Sequence, residues 1–326
     1  MSLAASVGVT DPGRRRRGNE DAYVCEPPLF AIADGMGGAQ AGEVASRLAA
    51  AVLRDANGDD LTEQRLVELI QEANRRVFQR SSEDETTAGM GTTMTVALVD
   101  GDSIIFGHVG DSRAYRVRGG ELEQLTDDHS LVGELVRSGR LSAEEAEMHP
   151  QRSVITRAVG TEPDVDVDTF TVPAQPGDVY LLCSDGLTDM IPDREISSLL
   201  DDSDDLNQTA RKLVEAANAG GGEDNITVVL FQIGELAGAG ADAERLPADP
   251  AAAADSGPEL EDTLSGLEGV PAVDTAVISA AEVAQHLDAN GGGRAREPRR
   301  RSVLPFLLLV LVLAAIAVLV VWGLYR

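Results

Sequence analysis

Four apolar runs of this chain meet an aspartate at one end: "FAIADG" reaches Asp34, "FGHVGD" reaches Asp111, "YLLCSDG" reaches Asp185, and "GGEDNITVV" starts from Asp224. Short apolar runs rich in β-branched residues and bounded by Gly, Asp or Pro read as buried strands. One Asp-Gly after a strand is ordinary turn chemistry, but four aspartates at strand ends constrain the fold much more tightly. If those strands are neighbours in a pair of sheets, their ends converge, and the carboxylates gathered there repel one another unless cations lie between them. Carboxylate, carbonyl and water oxygens suit Mg2+ or Mn2+, whereas the four histidines are scattered and form no zinc or iron set. Gly35 and Gly186, each following one of these aspartates, let the backbone approach an ion so that a carbonyl joins its shell. Two ions about 3.5–4 Å apart turn a bridging water into a nucleophile and clamp a phosphoryl group, so the chemistry expected is phosphoester hydrolysis.

Residues 1–235 alternate short strands with helical patterns and read as one α+β domain. Strands follow one another through tight turns in "VALVDGDSIIFGHVGDSRAYRVRGGELEQL", which predicts antiparallel hairpins in two sheets covered by helices. Helical spacing appears in "EVASRLAAAVLRDA" and at Leu66, Ile70, Ala73 and Val77. Ser142 and Glu145 form a capping box, and "LNQTARKLVEAANAG" closes on a glycine cap.

Residues 236–302 turn to Ala, Gly, Pro, Asp and Glu. Too few large apolar side chains remain to offset the entropy of ordering, so this stretch is expected to be a disordered acidic linker, with a short helix at "SAAEVAQHL" and a basic cluster from Arg294 to Arg301. From Val303 to Tyr325 no residue is charged, and the run is long enough to span a hydrocarbon core. A transmembrane helix over 303–325 is expected, with Trp322 and Tyr325 in an aromatic belt and the arginines keeping residues 1–302 in the cytoplasm. A single-pass protein of the cell membrane follows.

A formal net charge of −28 disfavours nucleic acid as a partner. Cys25 and Cys183 lie far apart in apolar runs and read as buried thiols in a reducing compartment.

The ordered set "RRGNEDA", "ADGMGG", "GMGTTMTVAL", "GHVGDSRAY", "HPQRSVITRAVG", "LLCSDGLTD" and "GGGEDNITVV" resembles the bacterial metal-dependent protein serine/threonine phosphatases of type 2C, over residues 16 to about 229. The resemblance implies a four-layer α-β-β-α sandwich with two central antiparallel sheets. It implies two core ions, Mn2+ or Mg2+, with Asp34 bridging them, Gly35 offering its carbonyl, Asp185 and Asp224 completing one shell, and Glu20 reaching the second ion through water. Arg16 matches the arginine that binds substrate phosphate, and its spacing to Asn19, Glu20 and Asp21 selects it from Arg14 to Arg17. A third, weaker ion would use Asp111 and Asp185, with Ser153 nearby. Residues Leu131 to Arg157 correspond to the family's variable flap, which influences substrate choice.

The chain departs from the family at Met36, where some members carry a histidine proposed as general acid; a thioether donates no proton. His108 reads as a core histidine, His129 and His149 as surface or flap residues, and "GMGTT" as tight-turn packing before a strand. The expected substrates are phosphorylated proteins near the inner face of the membrane, receptor-type Ser/Thr protein kinases among them. The rival readings are a silent phosphoprotein-binding module and a phosphatase acting on an anti-sigma-factor antagonist.

Overall fold

Hairpin connections and alternating apolar positions build two antiparallel sheets, of five and six strands, that stack face to face. A computed structural model describes residues 2–37, 41–56, 61–201, 205–234 and 276–277. The chain enters through β1 (Ser2–Asp11), crosses the arginine-bearing loop, and runs through β2 (Asp21–Glu26) into β3 (Leu29–Met36). Helices α1 (Ala41–Ala56) and α2 (Glu63–Glu83) follow, then β4 (Gly91–Thr92), β5 (Met94–Asp100), β6 (Ser103–Val109), β7 (Arg113–Arg118) and β8 (Glu121–Gln124). The flap segment holds α3 (Leu131–Arg137), α4 (Ala143–Glu147) and the short strand β9 (Val154–Ile155). After it come β10 (Asp168–Pro173), β11 (Val179–Cys183), α5 (Asp185–Thr188), α6 (Asp193–Asp201), α7 (Leu206–Gly220) and β12 (Ile226–Gly234). A last strand, β13 (Ala276–Val277), pairs in parallel with β9.

One sheet runs β1-β12-β11-β7-β8 and the other β10-β6-β5-β3-β2, with β4 joined to β3. Three hydrophobic clusters make four layers of this arrangement. Leu66, Ile70, Ala73 and Val77 of α2, with Ala45, Ala49 and Leu53 of α1, pack on Ala31, Val96 and Ile105 of one sheet. Leu213 and Ala217 of α7, with Ile196 of α6, cover Leu181, Val228 and Leu230 of the other. Between the sheets runs a chain of rings: Phe30 stacks on Phe231 at 4.3 Å, Phe231 on Tyr180 at 5.1 Å, Tyr180 meets Phe106 at 6.2 Å, and Phe106 stacks on Phe170 at 5.0 Å. Aromatic residues make up only 3% of the chain, and this ladder gathers five of the eleven where the two sheets must adhere.

The local signals act as the sequence predicts. Ser142 Oγ accepts from the Glu145 amide at 3.2 Å while the Glu145 carboxylate accepts from the Ser142 amide at 2.9 Å. Past α7, Gly221 takes φ +147°, which suits glycine. The sequence does not announce β1, whose Ala, Ser, Gly and Thr side chains are small and half-exposed. It forms because Ser6, Val7, Gly8 and Val9 find Phe231, Leu230, Val229 and Val228 opposite them on β12.

The chain divides into two units, Met1–Ala280 and Ala281–Arg326, and every described residue falls in the first. The expected membrane-spanning segment 303–325 and the expected linker 236–302, apart from β13, lie outside the described residues. Among the described residues no helix is long and apolar enough to cross a membrane.

Two outcomes follow from this packing. Phe231→Ala removes the central rung of the ring ladder, and urea unfolding should show a loss of about 3–5 kcal/mol. His108, 1% exposed, is bonded to Thr95 Oγ1 at 2.9 Å and Asp127 O at 3.1 Å, and burial, then His129, pushes its pKa down to about 3. Its stabilising contribution is complete above the unfolded value near 6.5 and fades as pH falls from there toward about 3. Wild type should therefore lose stability relative to His108→Gln across that window, as read by denaturant titrations at several pH values.

Candidate active site

Sheet register brings the strand-end carboxylates to one edge. On β2 and β3, Asp21 stands directly opposite Asp34. On β11, Cys183 lies opposite both Val228 of β12 and Arg113 of β7, so Asp185 just past β11, Asp224 just before β12 and Asp111 just before β7 emerge on the same side. Asp111 also lies just past β6, where the chain crosses from one sheet to the other.

Local hydrogen bonds fix the backbone that carries these groups. The Asp34 amide donates to Thr93 Oγ1 at 3.0 Å, and Asp34 O accepts from the Thr93 amide at 2.9 Å and from Thr92 Oγ1 at 2.8 Å. Thr93 Oγ1 also bonds Ser112 Oγ at 2.7 Å, tying the Asp34 strand to the Asp111 loop. This is the work of the "GMGTT" stretch. At Gly35 a Cβ would stand 2.2 Å from Gly42 O and 2.4 Å from Glu20 O, so only glycine lets β3 press against α1 there. The Glu20 carboxylate sits beside this contact, with Oε2 2.8 Å from where a Gly42 Cβ would lie.

The arginine loop rests on the loop before β12. The Arg14 and Arg15 amides donate to Gly222 O at 2.7 and 3.2 Å, and Arg16 reaches Asp224 Oδ2 at 2.6 Å. Asn225 locks this junction. Its Nδ2 donates to Pro12 O at 3.0 Å and Gly18 O at 2.9 Å, while its Oδ1 accepts from the Glu20 amide at 2.8 Å.

Electrostatics set this edge apart from an ordinary polar surface. Burial, and then the neighbouring Asp21, Asp185, Asp224 and Asp111, push the Asp34 carboxyl well above the usual range. Asp185 is pushed up in the same way by burial and by Asp111, Asp189 and Asp224. Burial raises Asp21 and Asp111 to about 7 each. At Arg16, burial opposes the charge, but Asp224, Glu20 and Asp34 outweigh it and raise the guanidinium pKa. Asp21 Oδ1 and Asp185 Oδ1 are buried without a hydrogen-bond partner. Orphaned carboxylate oxygens in a field of like charge fit a hard divalent cation. Among the described residues no group of three or more His, Cys, Asp or Glu side chains is arranged to hold an ion alone. A shell built here would take oxygens from carbonyl and water, as Mg2+ and Mn2+ commonly do.

Asp111 and Asp185 open into a cleft of about 760 Å3, which Ser153, Arg152, Asp189 and Met190 also line. The structure thus puts Ser153 in the lining of the same cleft as Asp111 and Asp185, Arg16 on Asp224, and Glu20 beside Gly35. Met36 is 6% exposed and packs with Ile155 and Ala158.

Three residues escaped the sequence reading. Asp21 faces Asp34 across the ladder and accepts from Thr227 Oγ1 at 2.5 Å; an acidic residue beside Glu20 gives no sign of this until the register is known. Asn225 stands out only through its long-range bonds. His129, expected at the surface or in the flap, is 3% exposed, because its polar neighbours conceal a ring that packs 4.7 Å from His108.

Known proteins resemble this chain in sequence and in fold. Residues 18–230 match the family model described as protein phosphatase 2C. The serine/threonine phosphatase stp of Listeria monocytogenes is 43% identical over 235 residues, covering 68% of this chain and 93% of that protein. The protein phosphatase PhpP of Streptococcus pneumoniae is 40% identical over 239 residues, covering 70% and 96%. Among solved structures, the Mycobacterium tuberculosis serine/threonine phosphatase PstP/Ppp superposes with a TM-score of 0.69 at 38% identity, covering 72% of this chain and 100% of that one. The catalytic domain of the phosphatase PstP in complex with two manganese ions superposes at 0.67 with 36% identity, covering 72% and 99%. Register, carboxylate edge and relatives together make this chain a member of the protein phosphatase 2C family and a serine/threonine protein phosphatase.

Proposed function

We propose that the chain hydrolyses phosphoserine and phosphothreonine on proteins with two divalent ions, Mn2+ or Mg2+, held at the carboxylate edge. The observation that carries this reading is the gathering of Asp21, Asp34, Asp111, Asp185 and Asp224 at one edge, burial and then their mutual repulsion raising the Asp34 and Asp185 carboxyls, with Arg16 set among them. Asp34, the Gly35 carbonyl, Asp185 and Asp224 would hold the ions, with Glu20 contributing through water. Asp111 would serve a third site with Asp185, in the cleft that Ser153 also lines. When bound, the ions supply an activated water and a clamp on the phosphoryl oxygens.

The chain's own residues do the rest. Arg16 binds the substrate phosphate through its guanidinium fork, exchanging the Asp224 carboxylate for phosphate oxygens. Buried Met36 carries no proton, so the leaving serine or threonine oxygen takes its proton from water or from another group. A cysteine nucleophile finds no support: burial pushes the Cys183 thiol up to about 12, far from the thiolate that attack requires. The cleft beside Asp111 and Asp185 gives a phosphorylated loop room to approach.

In the same reading the uncharged run 303–325 crosses the membrane and the acidic linker 236–302 holds the phosphatase domain at the cytoplasmic face. Phosphorylated proteins at that face, Ser/Thr protein kinases among them, are the substrates.

Purified full-length protein should release phosphate from a phosphothreonine peptide with Mn2+ or Mg2+ and stop when a chelator is added. Asp185→Asn should abolish turnover, and Arg16→Ala should lower kcat/KM by about 10–100-fold, the scale of charged hydrogen bonds lost. A folded protein inactive with either ion would overturn the reading in favour of a binding module. Separately, the full chain should sediment with membranes and a chain ending at residue 302 should remain in the supernatant; a full chain found in the supernatant would remove the tether.

A further inference from the structure

The flap leaves the body of the fold at His129 and returns at Arg157, and both anchors meet one carboxylate. Asp168, the first residue of β10, takes Arg157 Nη1 on Oδ1 at 2.5 Å and lies 3.1 Å from His129 Nε2 through Oδ2. His129 also binds the glycine next to Asp111 twice. Its amide donates to Gly110 O at 2.8 Å, and the Gly110 amide donates to its Nδ1 at 3.0 Å. A backbone N–H only donates, so Nδ1 must present its lone pair and the ring proton must sit on Nε2, aimed at Asp168. The remaining backbone group is engaged too, since His129 O accepts from the Thr156 amide at 2.8 Å, just past β9. Gly110 holds φ +111°, a conformation that favours glycine and turns the chain from β6 into Asp111.

We infer that His129 is a positioning residue for Asp111: Asp168 fixes its tautomer, its Nδ1 holds the Gly110 amide, and flap anchoring and Asp111 placement thereby become one hydrogen-bonded unit. A histidine that merely filled space would need neither nitrogen. Here each nitrogen has a partner of the correct polarity, and the two partners sit on different elements. The inference rests on the proposed role of Asp111 at the phosphatase centre, whereas the hold on Gly110 stands without it.

Two substitutions separate the nitrogens. In His129→Asn the side-chain oxygen falls near the place of Nδ1 and still accepts from Gly110. His129→Gln reaches toward Asp168 instead and leaves the Gly110 amide without its acceptor. Hydrogen exchange of the peptide covering residues 107–113, measured by mass spectrometry on the full chain in chelator, should quicken about tenfold at one amide in His129→Gln, the scale of one hydrogen bond lost. In His129→Asn most of that protection should return. With Mn2+ present, His129→Gln should need about tenfold more ion for half-maximal turnover of a phosphothreonine peptide while its KM for peptide stays within about twofold, and His129→Asn should recover most of the shift.

Unchanged exchange in His129→Gln, or exchange as fast in His129→Asn as in His129→Gln, overturns the hold on Gly110. Faster exchange with an unaltered Mn2+ requirement overturns the link to Asp111. A wild-type protein inactive with every ion would instead sink the proposed function, and the exchange measured in chelator would still judge the positioning role.

Discussion

Like-charge repulsion among carboxylates at one sheet edge is the constraint on which the rest of this structure depends. Backbone pairing fixes where β2, β3, β6, β11 and β12 end, and those ends place Asp21, Asp34, Asp111, Asp185 and Asp224 together whether or not their charges favour it. The sheets can impose this because their adhesion is generated elsewhere, in the ring ladder from Phe30 to Phe170 and in the apolar faces under α1, α2 and α7. Stability is thus concentrated in the interior and electrostatic tension at the rim, the distribution that the proposed cation site calls for.

Surrounding contacts hold that rim in place. Thr92 and Thr93 grip the Asp34 backbone, and Thr93 reaches across to Ser112. Asn225 binds three points along the single loop between β1 and β2, at the place where Arg16, Glu20 and Asp224 come together. None of these neutral side chains relieves the negative charge. Their role is to keep the carboxylates from relaxing apart, which would be the easy response to repulsion.

Much of this was legible in the sequence, and the remainder fails for physical reasons. Strand-end aspartates, the Ser142 capping box and the apolar spacing of α2 are local signals, written within a few residues, and the fold obeys them. Asp21, Asn225 and His129 act through partners tens or hundreds of residues away, so their roles depend on register and packing that no short window contains. The choice of Arg16 among four arginines rested on spacing alone in the sequence; in the fold the Arg14 and Arg15 amides on Gly222 aim it at Asp224. Strand β1 was missed for the opposite reason, since its small residues carry little intrinsic preference and take their form from β12.

The pairing of Arg16 with Asp224 has a consequence in linkage. The guanidinium holds one oxygen of that carboxylate at 2.6 Å. On the proposed roles, a phosphate that draws Arg16 away would release Asp224 Oδ2 toward the cations, and a cation that draws Asp224 away would release that guanidinium contact for phosphate. On those roles both ligands would compete with the same ion pair, and thermodynamic reciprocity would make the resulting coupling equal in the two directions.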